Sequence, residues 1–385
     1  MINAFFTPPR LVMGVFFMHA VMISNWLPRI PDVQARLAVG TGDLALGFLG
    51  MPLGSFCALL VAGPLVEKLT PRRTIVFGFC LYAVALPPPG FVSSVPMLFI
   101  ALAILGFTYP LIDVAMNTEA ARIQESIGRP ILSTCHGFWS IGSMIGALAG
   151  SAFGQFGVDP GWHLLGVAIV SLPVAIAFGQ ALPEVRLEKA PARRMPFALP
   201  TVGMIGLCVV AFGSVLIEGS MRNWSAIFLR DVLSASPFAT GLGFGAFSLA
   251  MAVGRLAGDR LTDRFGPIAV ARACCLFGVV GLVLMVTAGS LPMAIVGMSA
   301  AGIGVAVLYP LSITAAAARG DRAPALNVAA LSLGSFGSSL VGPPLIGFVS
   351  EAGGLRWGFA TLLPAIVASA VLANELRRRA ALTGP

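Results

Sequence analysis

The sequence predicts an all-α integral membrane protein with twelve transmembrane helices in two pseudo-symmetric six-helix bundles. Of its 385 residues, 57% are hydrophobic and only 10% are charged, whereas soluble domains carry about 25% charged residues. Apolar runs of membrane-spanning length recur along almost the whole chain. Residue patterns of the first half return in the same order in the second half.

The apolar runs account for each predicted span. Each run has about 20 residues, the length at which a helix crosses a ~30 Å hydrocarbon core. The runs of the first half are residues 11–30, 44–66, 74–92, 96–118, 131–154 and 162–182. Those of the second half are residues 199–218, 237–258, 267–288, 292–315, 326–349 and 357–375. The short connections exclude a nucleotide-hydrolysing cassette, so the energy for any transport has to come through the membrane.

Basic residues predict the orientation, because Lys and Arg accumulate in short cytoplasmic loops. With the N-terminus inside, 19 of the 24 basic residues fall on the cytoplasmic side. Both termini are therefore predicted to be cytoplasmic, in a bacterial-type inner membrane. The net charge of +8 follows from this asymmetry, so we expect the basic loops to face anionic lipid and no nucleic acid to bind.

Four matched patterns indicate an internal repeat with offsets of 196 to 200 residues. They are Asn25-Trp26 with Asn223-Trp224, Tyr109-Pro110-Leu111 with Tyr309-Pro310-Leu311, Glu67-Lys68 with Asp263-Arg264, and the small-residue ladder of 50–62 with that of 246–258. Parallel repeats are typical of transporters whose halves are related by an axis along the membrane normal. The prolines of the second match predict interrupted helices in spans four and ten, which points to a central site between the halves.

The repeat also predicts the domain organisation. Residues 1–182 form the first six-helix half and residues 199–385 the second. The polar, proline-containing stretch between them, residues 183–198, is predicted to be a cytoplasmic linker.

The motif GRLAGDRLTDRFG at 254–266 resembles the cytoplasmic loop between spans eight and nine of the major facilitator superfamily. A degenerate first-half copy is AGPLVEKLTPRR at 62–73. Four other strings resemble the branch that holds fucose permease and the MosC-type proteins. They are NWLPRIPDVQARL, IDVAMNTEAAR, HGFWSIGSMIGAL and EGSMRNWSAIFLRD, at 25–37, 112–122, 136–148 and 218–231. The superfamily resemblance implies the major facilitator fold, and the branch implies symport of a sugar-like solute.

The two loop motifs supply the predicted cytoplasmic gate. Its candidate residues are the charged side chains Glu67, Lys68, Arg255, Asp259, Arg260, Asp263 and Arg264. Charge-assisted contacts with neighbouring helix ends would close the cytoplasmic side in one of two conformations.

Ionisable residues inside apolar spans are the candidates for proton coupling, since a charge there is costly unless it faces a cavity or a partner. Asp113 lies well inside span four, and Tyr109 and Asn117 share its helix face. Asp113 is the favoured coupling residue, and the alternative is a structural carboxylate that accepts hydrogen bonds from a neighbouring helix. Glu218 is predicted at the outer end of span seven beside Arg222, as a gate salt bridge or a second proton site.

Polar and aromatic residues in five spans are the candidates for solute binding. The set is His19, Asn25, Tyr109, Asn117, His136, Trp139, Asn223 and Tyr309. Trp139 offers a ring on which a sugar-like solute could stack. His136 either pairs with Asp113 or is buried separately, and His19 either packs or carries protons. Asn25 and Asn223 either bind solute or cap helix ends.

Together these features predict a secondary active transporter that moves a small polar organic solute by proton-coupled symport and alternating access. Two alternatives are an exporter of amphipathic compounds and a non-transporting membrane sensor. Catalytic and nucleotide-binding motifs are not found, so the chain is not expected to be an enzyme. The six cysteines lie in apolar runs without ligand spacing, so neither a metal nor a cofactor is expected. The expected partners are the solute, protons and membrane lipids, and we expect a monomer.

Overall fold

The computed structural model describes residues 7–129, 131–184, 199–322 and 324–377, and every regular element in these ranges is helical. Helices α1 to α8 are Pro8–Ser24, Ile30–Leu37, Thr41–Phe48, Gly50–Leu69, Pro71–Ala85, Val95–Ile127, Leu132–Gln155 and Pro160–Ala181. Helices α9 to α16 are Ile205–Leu233, Pro237–Phe265, Pro267–Val286, Leu291–Val305, Leu308–Ala317, Pro324–Gly353, Leu355–Ala360 and Leu363–Val371. Residues 185–198 of the predicted linker lie outside the described residues.

The predicted membrane spans are largely confirmed. Ten helical segments among the described residues are long and apolar enough to cross a membrane, and each coincides with a predicted run. The two remaining runs correspond to α5 and α7. Helix α5 has 15 residues, roughly 22 Å, and α7 is diluted by glycine and serine along its 24 residues. The chain is thus a multi-pass membrane protein, and the count of twelve remains a prediction.

Several helices begin with the same N-capping motif, a side chain that accepts a hydrogen bond from the first turn and is followed by proline. Ser94, Asp159 and Ser236 each accept hydrogen bonds from backbone N–H groups of the first turn, at the starts of α6, α8 and α10. Proline follows within two residues, where its missing N–H costs nothing. These starts lie close to those that the sequence predicts.

The helices pack mainly within two groups, the N-terminal group α1 to α8 and the C-terminal group α9 to α16. In the N-terminal group α1 packs on α7 and α4 on α6, and in the C-terminal group α12 packs on α10 and α11. Glycines allow the closest approaches: a Cβ atom on Gly150 of α7 would lie 2.6 Å from the Asn25 carbonyl oxygen. The two groups meet chiefly where α7 packs on α10 and α3 on α14.

The two matched prolines act differently on their helices. Helix α6 continues through Pro110, so the predicted interruption of span four is wrong. Span ten is interrupted between α12 and α13, just before Pro310. A proline leaves the carbonyl four residues earlier without its helical donor. A side chain of a neighbouring helix satisfies that carbonyl in both cases: Ser55 Oγ donates to Gly106 at 2.9 Å, and Arg255 Nε donates to Ala306 at 3.4 Å.

Candidate functional site

A cavity lies between α4 and α6 of the N-terminal group and α9 and α14 of the C-terminal group. Its polar lining includes Tyr109, Arg222, Asn223, Ser338 and Ser339. Its apolar lining includes Trp26, Phe48, Met51, Leu102, Leu216 and Phe336. Concave sites with an apolar wall and a few convergent polar groups are typical of small-molecule binding.

Beside this cavity Glu218 lies between two arginines. Its Oε1 accepts a hydrogen bond from Arg222 Nη2 at 3.2 Å, and its Oε2 accepts one from Arg255 Nη2 at 3.4 Å. The three side chains are 21% to 27% exposed, so the cluster is not sealed off. Two adjacent helices, α9 and α10, therefore share one ionic cluster in the protein interior.

The span end predicted at Glu218 is wrong. The sequence ended span seven there, but α9 continues to Leu233 and places Glu218 near its middle. Arg255 was predicted inside span eight and assigned to the cytoplasmic gate; in this conformation it bonds Glu218 and the Ala306 carbonyl instead. Hydropathy ended span seven at a charge, whereas here opposite charges on neighbouring helices compensate one another.

Arg222 connects this cluster to the N-terminal group. Its guanidinium carbon lies 5.7 Å from the centre of the Trp139 ring on α7, within the range of a cation–π interaction. It also interacts electrostatically with Asp113 and Tyr109 of α6. The predicted coupling and stacking residues thus share one arginine that the sequence assigned to an outer loop.

Asp113 and Asn117 lie on one face of α6, as predicted. The Asn117 Nδ2 donates to the Asp113 backbone oxygen at 2.9 Å and approaches its Oδ1 at 3.4 Å. The His136 ring of α7 packs edge-on against Phe16 of α1, with the ring centres 5.2 Å apart. In the described ranges no hydrogen bond joins Asp113 to His136, so the two side chains have separate partners.

The other predicted solute-binding residues divide between the cavity and the packed interior. Tyr109 and Asn223 line the cavity. Asn25 does not, because its Oδ1 lies 3.1 Å from His163 Nε2 and its Nδ2 donates to the Val21 carbonyl. The first of these contacts joins the end of α1 to α8, and the second lies within the last turn of α1.

His19 and Tyr309 also lie away from the cavity lining. The His19 ring is fully buried, with its centre 4.4 Å from that of Tyr109 and 5.6 Å from that of Tyr82. The Tyr309 hydroxyl lies 3.5 Å from Ser332 Oγ. Tyr309 lies in the first turn of α13, because span ten is interrupted just before this helix.

The two ends of the molecule differ in how the groups contact each other. At the predicted cytoplasmic end the other gate candidates, Glu67, Lys68, Asp259, Arg260, Asp263 and Arg264, are exposed. Within the described residues none of these six takes part in a salt bridge. Among the described residues, these six side chains therefore make no ionic gate contact in this conformation.

At the predicted outer end a carboxylate of α14 caps α3. Glu351 Oε2 accepts hydrogen bonds from the Gly42 N–H at 3.1 Å and from Thr41 Oγ1 at 3.0 Å. The Thr41 hydroxyl also lies 2.9 Å from the Gly347 oxygen. Sequence reasoning missed this contact, because its partners are some 310 residues apart and no local pattern pairs them.

A second contact joins the groups at the same end. Arg230 of α9 donates to the Pro31 carbonyl and to Gln34 Oε1, both at 2.7 Å. The outer end is therefore closed by bonds between the groups.

Comparison with known proteins agrees with this architecture. Residues 204–381 match the family model described as Major Facilitator Superfamily. The chain is 30% identical to an uncharacterized MFS-type transporter of Yersinia pestis over 359 residues, which cover 92% of this chain and 93% of the relative. It is 24% identical to membrane protein MosC of Rhizobium meliloti over 344 residues, 88% of this chain and 83% of the relative.

Solved structures show the same fold. The nucleoside transporter NupG superposes with a TM-score of 0.73 at 15% identity, covering 96% of this chain and 98% of that one. The Escherichia coli fucose:proton symporter FucP superposes with a TM-score of 0.66 at 17% identity, covering 97% of this chain and 99% of that one.

Proposed function

Since the chain belongs to the major facilitator superfamily of membrane transporters, we propose that it moves a small polar organic solute across a bacterial-type inner membrane in symport with protons. It is a transporter and not an enzyme. The observation that carries the proposal is the cavity between the two helix groups, in which Arg222 interacts with Glu218, Trp139 and Asp113. The proposed solute site and the proposed proton site would thereby be coupled through Arg222.

Alternating access of the two groups is the proposed mechanism. The bonds of Glu351 and Arg230 join the groups at the predicted outer end. At the other end the six remaining gate candidates are exposed and form no salt bridge with the described residues. This asymmetry supports an inward-open state with the central cavity reachable from the cytoplasm. In the opposite state the outer bonds break, and the charged ends of α4 and α10 make the cytoplasmic gate.

Each helix group is proposed to move as a rigid body, and the two groups share one architecture. In both, the carbonyl that a proline frees is capped from the second span of that half: Ser55 bonds Gly106 in one, and Arg255 bonds Ala306 in the other. A shared device of this kind supports duplication of one six-helix unit.

Asp113 is the proposed coupling residue. An ionised carboxylate in a membrane interior is tolerated when a positive charge compensates it, and Arg222 is the cation that we assign to this role. Protonation of Asp113 removes the interaction and changes the net charge of the cluster. Glu218 bonds two arginines at once, so we assign it to holding the cluster together rather than to proton transfer.

Transport by purified protein in proteoliposomes tests the proposal. We expect at least one solute in a panel of sugars, nucleosides and organic acids to accumulate when the outside is made acidic. Collapse of the pH gradient should abolish the accumulation. Flat traces for every solute would instead favour a non-transporting sensor, and entry driven by an opposite gradient would favour an exporter.

A further inference from the structure

Two arginines share one carboxylate beside the cavity. Arg222, which lines the cavity, and Arg255 each bond Glu218, so these three side chains carry one positive charge in excess. Asp113 of α6 forms no salt bridge with them among the described residues. Once Asp113 is protonated it cannot offset that excess, and an uncompensated positive charge is costly in a protein interior.

The two arginines hold Glu218 loosely. Each contributes one nitrogen, at 3.2 and 3.4 Å, whereas an optimal bidentate pair has two N–H···O bonds of about 2.7–2.9 Å. Guanidinium groups carry five N–H donors in a plane. Trp139 covers one face of Arg222, and contact with a ring face leaves the in-plane donors available. Arg222 thus retains donors where it lines the cavity.

Neutral donors lie on the same wall. The Ser220 hydroxyl is buried in the cavity lining and has no hydrogen-bond partner among the described residues. Asn223 lies one turn along α9, and Ser338 and Ser339 lie on α14. A ligand with one anionic group and several hydroxyls would match these donors.

From this arrangement we propose that the solute is a hydroxylated organic anion, whose carboxylate binds Arg222 when Asp113 is protonated. The inference rests on the proposed function and specifies its substrate class. Proton and anion then enter together. Protonation of Asp113 leaves an excess positive charge beside the cavity, and the carboxylate of the bound solute compensates it. On the same face of α6, Tyr109 lies one turn from Asp113, and its ring centre is 4.4 Å from that of His19 on α1, which in turn is 5.6 Å from that of Tyr82 on α5. His136 of α7 packs against Phe16.

Matched pairs of neutral and carboxylated probes test the proposal in proteoliposomes of the full chain. The pairs are glucose with glucuronate, galactose with galacturonate, and glycerol with glycerate. We expect the carboxylate of at least one pair to be taken up with acid outside, and its neutral partner to be taken up at least about tenfold less efficiently, corresponding to about 1.4 kcal/mol. Uptake of neutral members alone would overturn the anion site while leaving the proposed function intact. Flat traces for all six probes would overturn the anion site, and the wider solute panel then decides separately whether the proposed function holds.

Two variants locate the site. Arg222→Gln should raise the KM for the transported carboxylate at least about tenfold, whereas Arg272→Gln, an exposed arginine of α11, should not change it. Glu218→Gln removes the competing carboxylate and should lower the KM for the anion. Thermal unfolding in detergent establishes that each variant is folded. An unchanged KM in folded Arg222→Gln, or a raised KM in folded Glu218→Gln, would overturn the site.

Discussion

The guanidinium carbon of Arg222 lies 5.7 Å from the centre of the Trp139 ring, so α9 of the C-terminal group and α7 of the N-terminal group meet beside the central cavity. Arg222 also bonds Glu218 and interacts with Asp113. Any movement of one helix group against the other must therefore change the surroundings of this arginine. That relationship makes the cluster a suitable place to couple a solute to a proton.

Replacement of Trp139 tests its part in binding. Trp139→Ala removes the cation–π interaction that positions Arg222 at the cavity, which contributes about 0.5–2 kcal/mol. The KM for the transported solute should therefore rise several-fold, while uptake remains driven by the pH gradient. Trp162→Ala is the matched control, because Trp162 is 65% exposed on α8. Initial rates of uptake over a range of solute concentrations measure the effect, and an equal rise in both variants would remove Trp139 from the site.

Loss of the outer cap should shift the conformational equilibrium. Glu351→Gln weakens charge-assisted bonds to α3, each contributing about 1.5–3 kcal/mol, and so should populate the outward-open state. A Ser338→Cys probe in the cavity, with the six native cysteines replaced, should then react faster with an impermeant thiol reagent added outside. Glu184→Gln, at an exposed pair with Arg73, is the control. Equal labelling in both backgrounds would show that the cap does not hold the outer side closed.

The hydrogen bond from Ser55 to the Gly106 carbonyl, which Pro110 leaves without its helical donor, should contribute measurably to the stability of the protein. Ser55→Ala leaves the Gly106 carbonyl unpaired and should cost about 1 kcal/mol, seen as a lower Tm in detergent. Pro110→Ala restores the helical donor, so the double variant should recover most of the loss. Ser299→Ala, whose hydroxyl bonds only its own helix, should change Tm less. Additive losses in the double variant would argue against this role for Ser55.

The cytoplasmic gate should affect turnover more than binding. Asp259 at the end of α10 is exposed in this conformation, so its partners are expected only in the outward-open state. Asp259→Asn should therefore lower kcat with little change in KM, because it destabilises one state of the cycle. The same kinetics on Arg73→Gln, an exposed cation at the start of α5, provide the comparison. A changed KM with unchanged kcat would place Asp259 outside the gate.

Much of the fold could be predicted from sequence, because lipid imposes a strong pattern. The apolar runs located the spans, and the motif at 254–266 identified the family. Charges misled where they compensate each other. Glu218 was placed at the end of span seven, but it lies near the middle of α9 and bonds Arg255 of α10.

Side-chain partners were less predictable than helices. Tyr109, Asn223, Trp139 and Asp113 were predicted for the site. The structure places the first two in the cavity lining and Trp139 against Arg222, and the role of Asp113 remains a prediction. Asn25 matches Asn223 in the repeat, yet it bonds His163. The repeat fixes the place of a residue in a helix but not the neighbours that its side chain meets.

Solute accumulation by Asp113→Asn tests the central claim most directly. The variant keeps the size of the side chain and mimics the protonated form. In proteoliposomes with acid outside, we expect exchange of solute at equal pH to survive and accumulation driven by the pH gradient to disappear, while the parent protein retains both. A variant that still concentrates solute against its gradient as the parent does would contradict proton coupling through Asp113.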